Sequence, residues 1–180
     1  MVIKGFTPHK DQRRVINQID NPSVKFITLV TGRQWGKTML GMNVLMKWSL
    51  TSSNMTSMWV SPIYRQAKKV LEEIERAIGG SPVVQSINKS NMEVTFKNGS
   101  KILFRSGERA DNLRGSTLDY LVVDEAAFIS DDVWDNVLKQ TTMVKGKKIL
   151  FISTPRGKNF LYNLHLRGLD PDQEKYIALK

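Results

Sequence analysis

The stretch from Phe26 to Ser49 restricts the fold of this 180-residue chain more than any other. Phe26-Ile27-Thr28-Leu29-Val30 is a short run with almost no polar interruption, which is how a strand buried on both faces reads. It ends at Thr31-Gly32. From Lys37 to Ser49 the apolar residues Met39, Leu40, Met42, Val44, Leu45 and Trp48 occupy a segment of helical length. A strand covered on both sides, a glycine-containing loop and then a helix are the start of an open α/β sheet. In such sheets ligands sit in the crevice at the carboxyl ends of the strands.

The rest of the chain repeats the alternation. Ser57 to Val60 reads as a second strand stopped by Ser61-Pro62. Ala67, Val70, Leu71, Ile74 and Ile78 then fall at three- and four-residue spacing before Gly79-Gly80, which predicts a helix with one buried face. Between Met92 and Arg105 two strand-like runs flank Asn98-Gly99, the pair favoured in a tight type I′ hairpin, so an antiparallel ribbon is expected there. Leu118 to Val123 supplies a buried strand leading into Asp124-Glu125, and Lys148 to Ile152 supplies one leading into Ser153-Thr154-Pro155. With neither an internal repeat nor a linker, residues 1–180 read as a single α/β domain on a mostly parallel sheet flanked by helices.

Composition bears on what such a sheet binds. Hydrophobic residues at 41% and charged residues at 24% are ordinary for a globular domain and exclude a disordered or fibrous chain. The charge is not ordinary: 27 Lys and Arg against 17 Asp and Glu leave +10, a balance that attracts polyanions, whether nucleic acid, nucleotide or anionic lipid. Cysteine is absent, so disulfides, Cys-ligated zinc and thiol catalysis are excluded, and His9 and His165 alone cannot build a multi-histidine metal site. No apolar run approaches the roughly 18 residues of a membrane span. Met1 to Phe6 lacks the apolar core of a signal peptide, so a soluble, unexported protein is expected.

Residues 31–38 read T-G-R-Q-W-G-K-T. Between a buried strand and a helix, such a loop turns backbone N–H groups toward an anion and adds the positive potential of the helix N-terminus. Lys37 can then reach β- and γ-phosphates, and Thr38 can ligate Mg²⁺. Gly36 leaves room for phosphate to approach the backbone. Against the pattern G-x-x-x-x-G-K-[ST], Thr31 stands at the first glycine position and Gly32 follows one residue late. Candidate nucleotide contacts are therefore Gly32, Arg33, Gln34, Trp35, Gly36, Lys37 and Thr38. Nucleotide hydrolysis also needs a carboxylate for the metal shell and a base or positioner for the attacking water. Asp124 and Glu125 reach the ligand edge in that order, Asp124 joining Thr38 toward Mg²⁺ and Glu125 acting as general base. Ser153 and Thr154 either sense the γ-phosphate and link its loss to motion, or form a plain Ser-Thr-Pro turn.

In this order these residues resemble the large terminase subunits of tailed bacteriophages, ATPases that pump double-stranded DNA into preformed capsids. That family's phosphate loop tolerates a displaced first glycine and carries an arginine where Arg33 stands. Its acidic motif is similar to Asp124-Glu125-Ala126-Ala127 and its coupling motif to Ser153-Thr154-Pro155. Its adenine-recognising segment is similar to Thr7-Pro8-His9-Lys10-Asp11-Gln12, with Gln12 the matching residue. The resemblance implies a P-loop NTPase fold of the ASCE, recA-like type, with ATP and Mg²⁺ as cofactors. It also implies a homo-oligomeric ring on a portal and procapsid in the host cytoplasm, working with a small terminase subunit on double-stranded DNA, with no membrane partner. By the same resemblance Arg33 stabilises γ-phosphate charge within its own subunit, and Arg114 holds a position suited to a finger entering the neighbour's site. An ordinary ion pair is the alternative for Arg114, and Arg109 is its rival for the finger. The family's nuclease domain has no room before Lys180, so nuclease activity is expected to be absent. Residues from about Lys158 would begin the family's lid beyond a core of about 1–157.

Two other readings compete: one lobe of a helicase-like ATPase, and a nucleotide-gated assembly module without turnover. Asp-Glu-Ala-Ala with Ser-Thr-Pro weighs against the first and Glu125 against the second. Lys145, Lys147, Lys148, Arg156 and Lys158 concentrate near the final strand, where they either face DNA phosphates or form a solvated turn. Arg13 and Arg14 are open to the same two readings.

Overall fold

Continuous apolar strands cannot face water on either side. The computed structural model, which describes residues 6–108 and 113–180, buries them in the middle of one eight-stranded sheet. In chain order the elements are α1 (Lys10–Ile19), β1 (Phe26–Val30), α2 (Lys37–Thr51), β2 (Thr56–Ser61), α3 (Tyr64–Ile78), β3 (Val84–Asn88), β4 (Glu93–Phe96), β5 (Lys101–Ser106) and β6 (Tyr120–Asp124). A 3₁₀ turn over Ala126–Phe128 follows. Next come the short helix α4 (Asp131–Val133), a π-helical stretch Trp134–Leu138 and α5 (Lys139–Thr141), then β7 (Lys148–Ser153), α6 (Phe160–Leu169) and β8 (Tyr176–Leu179).

The sheet order is β3-β4-β5-β2-β6-β7-β1-β8. From β5 to β8 every pairing is parallel, while β3 and β4 run antiparallel. β7 lies between β1 and β6, with Val30 beside Ser153 and Asp124 beside Ile152. Neighbouring strands are about 4.8 Å apart, so the ends of β1, β7 and β6 deliver Thr31, Ser153 and Asp124 within roughly 10 Å of sheet edge.

Helices cover both faces. On one face α1, α2 and α3 bury Val15, Ile19, Leu40, Leu45, Leu71 and Ile74 in one core with Trp59, Phe104 and Ile152. Gly41 sets how closely α2 approaches the sheet, since a Cβ there would stand 2.9 Å from Ile152 Cδ1 and 3.2 Å from the Trp59 ring. A glycine inside a helix costs about 1 kcal/mol against alanine, and the close packing offsets it. On the other face Trp134 stacks on Phe160 with centroids 5.6 Å apart and meets the edge of Phe151 at 4.8 Å. The buried Thr28 hydroxyl donates to Ile177 O at 3.3 Å and pairs with His165 Nδ1 at 2.8 Å, tying β8 and α6 to β1. His165 is thus a packing histidine, and burial holds its pKa below the ordinary value.

The structure corrects one expectation. The hairpin is present, but its turn is not the two-residue type I′ form, because only Gly99 of the Asn98-Gly99 pair has positive φ, at 79°. Gly99 N donates to Phe96 O at 3.0 Å and Phe96 N to Ser100 O at 2.8 Å. This is a three-residue loop with glycine at the left-handed position, the second common hairpin solution. The segment from about Lys158 onward builds α6 and β8, and β8 pairs in parallel with β1 at the sheet edge. Its apolar residues Leu161, Leu164 and Leu179 belong to the two cores.

Candidate functional site

The loop after β1 is bent by two left-handed residues, Gln34 at φ 61° and Gly36 at φ 86°. Such kinks turn successive N–H groups to one side and make an anion-binding concavity at the start of α2, where Gly36 is the N-cap. Lys37, only 7% exposed, donates from Nζ to Gly32 O at 2.7 Å and Thr31 O at 3.2 Å. Its ammonium is held inside the loop, on carbonyls it can exchange for phosphate oxygens. Among the described residues, Thr31 Oγ1 is the one buried side-chain polar atom with no partner, a hydroxyl at the mouth of a loop shaped for anions.

Across from the loop, Thr38 Oγ1 faces Asp124, 3.3 Å from Oδ2 and 3.5 Å from Oδ1. The Asp124 pKa is pushed up from 3.8 to about 7 because the carboxylate is buried and sits next to Glu125. The Glu125 backbone N–H at 3.0 Å, the Thr38 hydroxyl and Lys37 pull the other way without compensating. A hydroxyl and a buried carboxylate whose charge lacks a full partner form an oxygen donor pair of the kind Mg²⁺ takes, alongside water and phosphate.

Glu125 itself is left-handed, with φ 46° and ψ 46°, at the start of the 3₁₀ turn. A non-glycine residue in that region carries strain on the order of 1–3 kcal/mol. The geometry brings Glu125 Oε2 to the Ser153 and Thr154 hydroxyls, both at 3.4 Å, while Ser153 Oγ also accepts from Ala127 N at 3.2 Å. Ser153 and Thr154 are therefore not a plain turn, since their hydroxyls hold the carboxylate expected to act as base. Arg33, Glu125 and Thr154 line one open cleft of about 300 Å³ with Pro62, Ile63, Gln66 and Phe128.

Gln12 does not lie on this open wall. It is 5% exposed and sits behind the loop, donating from Nε2 to Trp35 O at 3.3 Å and accepting at Oε1 from His9 N at 3.2 Å. Arg114 is exposed, next to Gly115 in the connection between β5 and β6, and is not among the residues lining the cleft. Arg109 lies outside the described residues. The basic residues around β7 do not share a surface. Lys145, Lys147 and Lys148 precede the strand or open it, whereas Arg156 and Lys158 follow its far end. Lys148 Nζ is bound to Asn21 O at 2.5 Å and Val24 O at 3.0 Å, and Arg156 stacks 4.1 Å over Phe128. Arg13 and Arg14 are exposed on α1.

Sequence reading missed a basic surface that adjoins the cleft. Arg65, Lys68 and Lys69 on the first turns of α3 line a shallow depression with Glu72 and with Gln66, which also borders the cleft. Cations at a helix N-terminus oppose its dipole, and α3 has no acidic residue in its first turn. That mismatch was the available signal. Lys68 and Lys69 meet Glu72 and Glu73 only at 3.9 Å, on the exposed surface, so these pairs contribute little.

A phosphate loop on β1, an acidic pair on β6 and an intervening β7 ending in Ser153-Thr154 define a P-loop NTPase of the ASCE class. The chain belongs to the family described as terminase large subunit, T4likevirus-type, N-terminal, whose model matches residues 28–180. It is 28% identical to the large terminase subunit of Escherichia phage T5 over 180 residues, covering 98% of this chain and 41% of that protein. To the large terminase subunit of Thermus virus P23-45 it is 29% identical over 184 residues, covering 91% and 37%. The chain thus spans about two-fifths of the curated relatives it matches. Among solved structures, the ATPase domain of the Thermus phage P74-26 large terminase superposes with a TM-score of 0.75 at 26% identity, covering 97% of this chain and 78% of that one. The HK97 bacteriophage large terminase shares the fold with a TM-score of 0.84 at 16% identity, covering 97% and 39%.

Proposed function

We propose that this chain hydrolyses ATP to drive double-stranded DNA into a viral procapsid. It is the motor portion of a homo-oligomeric ring that engages a portal and a small terminase subunit in the host cytoplasm. The observation that carries this reading is the placement of Glu125 beside the Thr38 and Asp124 pair, in one cleft with Arg33. Backbone N–H groups of residues 32–38 and the Lys37 ammonium would hold the phosphates, and Thr38 and Asp124 would hold Mg²⁺, which would supply charge neutralisation on the phosphate oxygens. Arg33, which lines the cleft beside Glu125, would face the γ-phosphate. Glu125 takes the proton of the water that attacks the γ-phosphorus, leaving ADP and phosphate. Ser153 and Thr154 hold that carboxylate at 3.4 Å, so a change at the γ-phosphate is passed to β7.

Phosphate release should be Mg²⁺-dependent in the wild-type chain and fall to background in Lys37→Ala, together with ATP binding. A chain that binds ATP but never releases phosphate, with or without DNA, would fit a nucleotide-gated assembly module and sink this reading.

Arg65, Lys68 and Lys69 are the best-placed DNA-phosphate contacts, because they join the cleft through Gln66. Each lost phosphate contact lowers the slope of log affinity against log salt by about 0.9. Replacing all three by Gln should therefore reduce that slope by up to about 2.7 on a duplex oligonucleotide, equally for different sequences. An unchanged slope would assign DNA to another surface.

A further inference from the structure

Glu125 occupies a backbone conformation that a non-glycine residue keeps only where its surroundings over-determine it, with φ 46° and ψ 46°. Within the turn, Phe128 N donates to Glu125 O at 2.9 Å and Ile129 N to Ala126 O at 3.1 Å. Those bonds fix the shape of the turn but not its place against the cleft. Two anchors from outside fall on Ala127, two residues beyond Glu125. Ala127 N donates to Ser153 Oγ at 3.2 Å, and Ala127 O accepts from Asn159 Nδ2 at 3.2 Å.

Asn159 reaches Ala127 because of the way α6 begins. It is the N-cap of that helix, with Oδ1 accepting from Tyr162 N at 3.1 Å. Its amide nitrogen carries two hydrogens and uses both, toward Ala127 O and toward Arg156 O at 3.0 Å. The next residue is fastened in the same direction, since Phe160 N donates to Asp131 Oδ1 at 3.0 Å. One side chain therefore joins the turn that carries Glu125, the loop that follows Ser153-Thr154, and the first turn of α6. Capping alone needs only the oxygen, and serine or aspartate caps a helix as well as asparagine does. The amide nitrogen is what asparagine adds here.

We propose that Asn159 is a positioning residue for hydrolysis. Through Ala127 O it holds the Glu125 turn where the carboxylate meets the Ser153 and Thr154 hydroxyls and faces the cleft. This role rests on the ATP-site reading given above and adds to it a residue outside the phosphate loop, the acidic pair and the Ser153-Thr154 hydroxyls. Loss of the amide leaves Lys37, Thr38 and Asp124 in place, so nucleotide affinity is kept and turnover falls.

The test measures steady-state phosphate release, equilibrium ATP binding and melting temperature for the wild-type chain, Asn159→Ser, Asn159→Asp and Asn159→Ala. Asn159→Ser and Asn159→Asp keep a capping oxygen and lose the amide, one without and one with a charge. Both should melt close to wild type and bind ATP with the wild-type dissociation constant. Their kcat should fall by roughly three- to tenfold, the worth of about one lost hydrogen bond. Asn159→Ala should lose as much turnover and also melt lower, because the cap goes with the amide. Wild-type kcat in Asn159→Ser and Asn159→Asp, with loss only in Asn159→Ala, would reduce Asn159 to a helix cap and overturn the proposal while leaving the ATP site intact. ATP affinity that falls in step with kcat would put the effect on the phosphate loop and overturn it too. A wild-type chain that releases no phosphate would overturn the ATP-site reading itself.

Discussion

Glu125→Gln should lower ATP turnover by roughly 10² to 10⁴, the usual worth of a positioned general base, while ATP affinity stays within a few-fold of wild type. The amide has the shape of the carboxylate and can still meet the Ser153 and Thr154 hydroxyls that hold Oε2 at 3.4 Å. What it cannot do is take a proton from the attacking water. Its backbone requirement is also unchanged, since neither side chain relieves the left-handed conformation at φ 46°. Phosphate release measured beside nucleotide binding separates the two effects. Turnover that survives the substitution would remove Glu125 from the base role and direct attention to Arg33 and Thr154 in the same cleft.

Asp124→Asn should have a double signature, loss of the proposed Mg²⁺-dependent hydrolysis together with a gain in stability of the nucleotide-free protein. The carboxyl moves from 3.8 to about 7 on folding, chiefly through burial and then through Glu125. An acid whose folded pKa lies above its unfolded one binds more protons folded than unfolded between those values. Its penalty is therefore absent below about pH 4, grows as pH rises, and is complete above pH 7. That move corresponds to a cost on the order of 4 kcal/mol for the charged form. Asparagine keeps the acceptor for Glu125 N and a donor for Thr38 Oγ1 without the charge. The melting temperature of Asp124→Asn should exceed wild type by several degrees at pH 8, since 1 kcal/mol shifts it by about 2–4 °C in a domain of this size. The difference should close as pH falls to about 4. A variant no more stable at pH 8 would show that the carboxylate is better compensated than its surroundings indicate.

The parts legible in the sequence were those in which local pattern and tertiary demand coincide. FITLV, YLVVD and KILFI are buried on both faces and could be little else, and each ends in the polar residues of the site. α3 announced itself by spacing. β3, in contrast, reads VQSIN because it is a partly exposed edge strand, with no continuous apolar run to reveal it. β8 is a four-residue strand, YIAL, given meaning only by β1 beside it. The turn at Asn98-Gly99 was found but misassigned, since one dipeptide serves both hairpin forms and the Phe96 and Ser100 pairing decides between them. For the site, the loop, Asp124 and Glu125 were readable. The burial of Gln12, the orphaned Thr31 hydroxyl and the adjacency of α3 to the cleft depend on how the helices pack, which no motif states.

The position of β1 has a consequence for how the molecule is made. The strand that launches the phosphate loop is flanked by β7 on one side and β8 on the other, so among the described residues its partners are 149–153 and 176–179. Both partners lie more than a hundred residues downstream, contacts that close late and slowly because a long loop must be ordered first. During synthesis, the loop that grips phosphate stays without its scaffold until the ribosome has delivered nearly the whole domain. A fragment ending before Tyr176 leaves one flank of β1 bare.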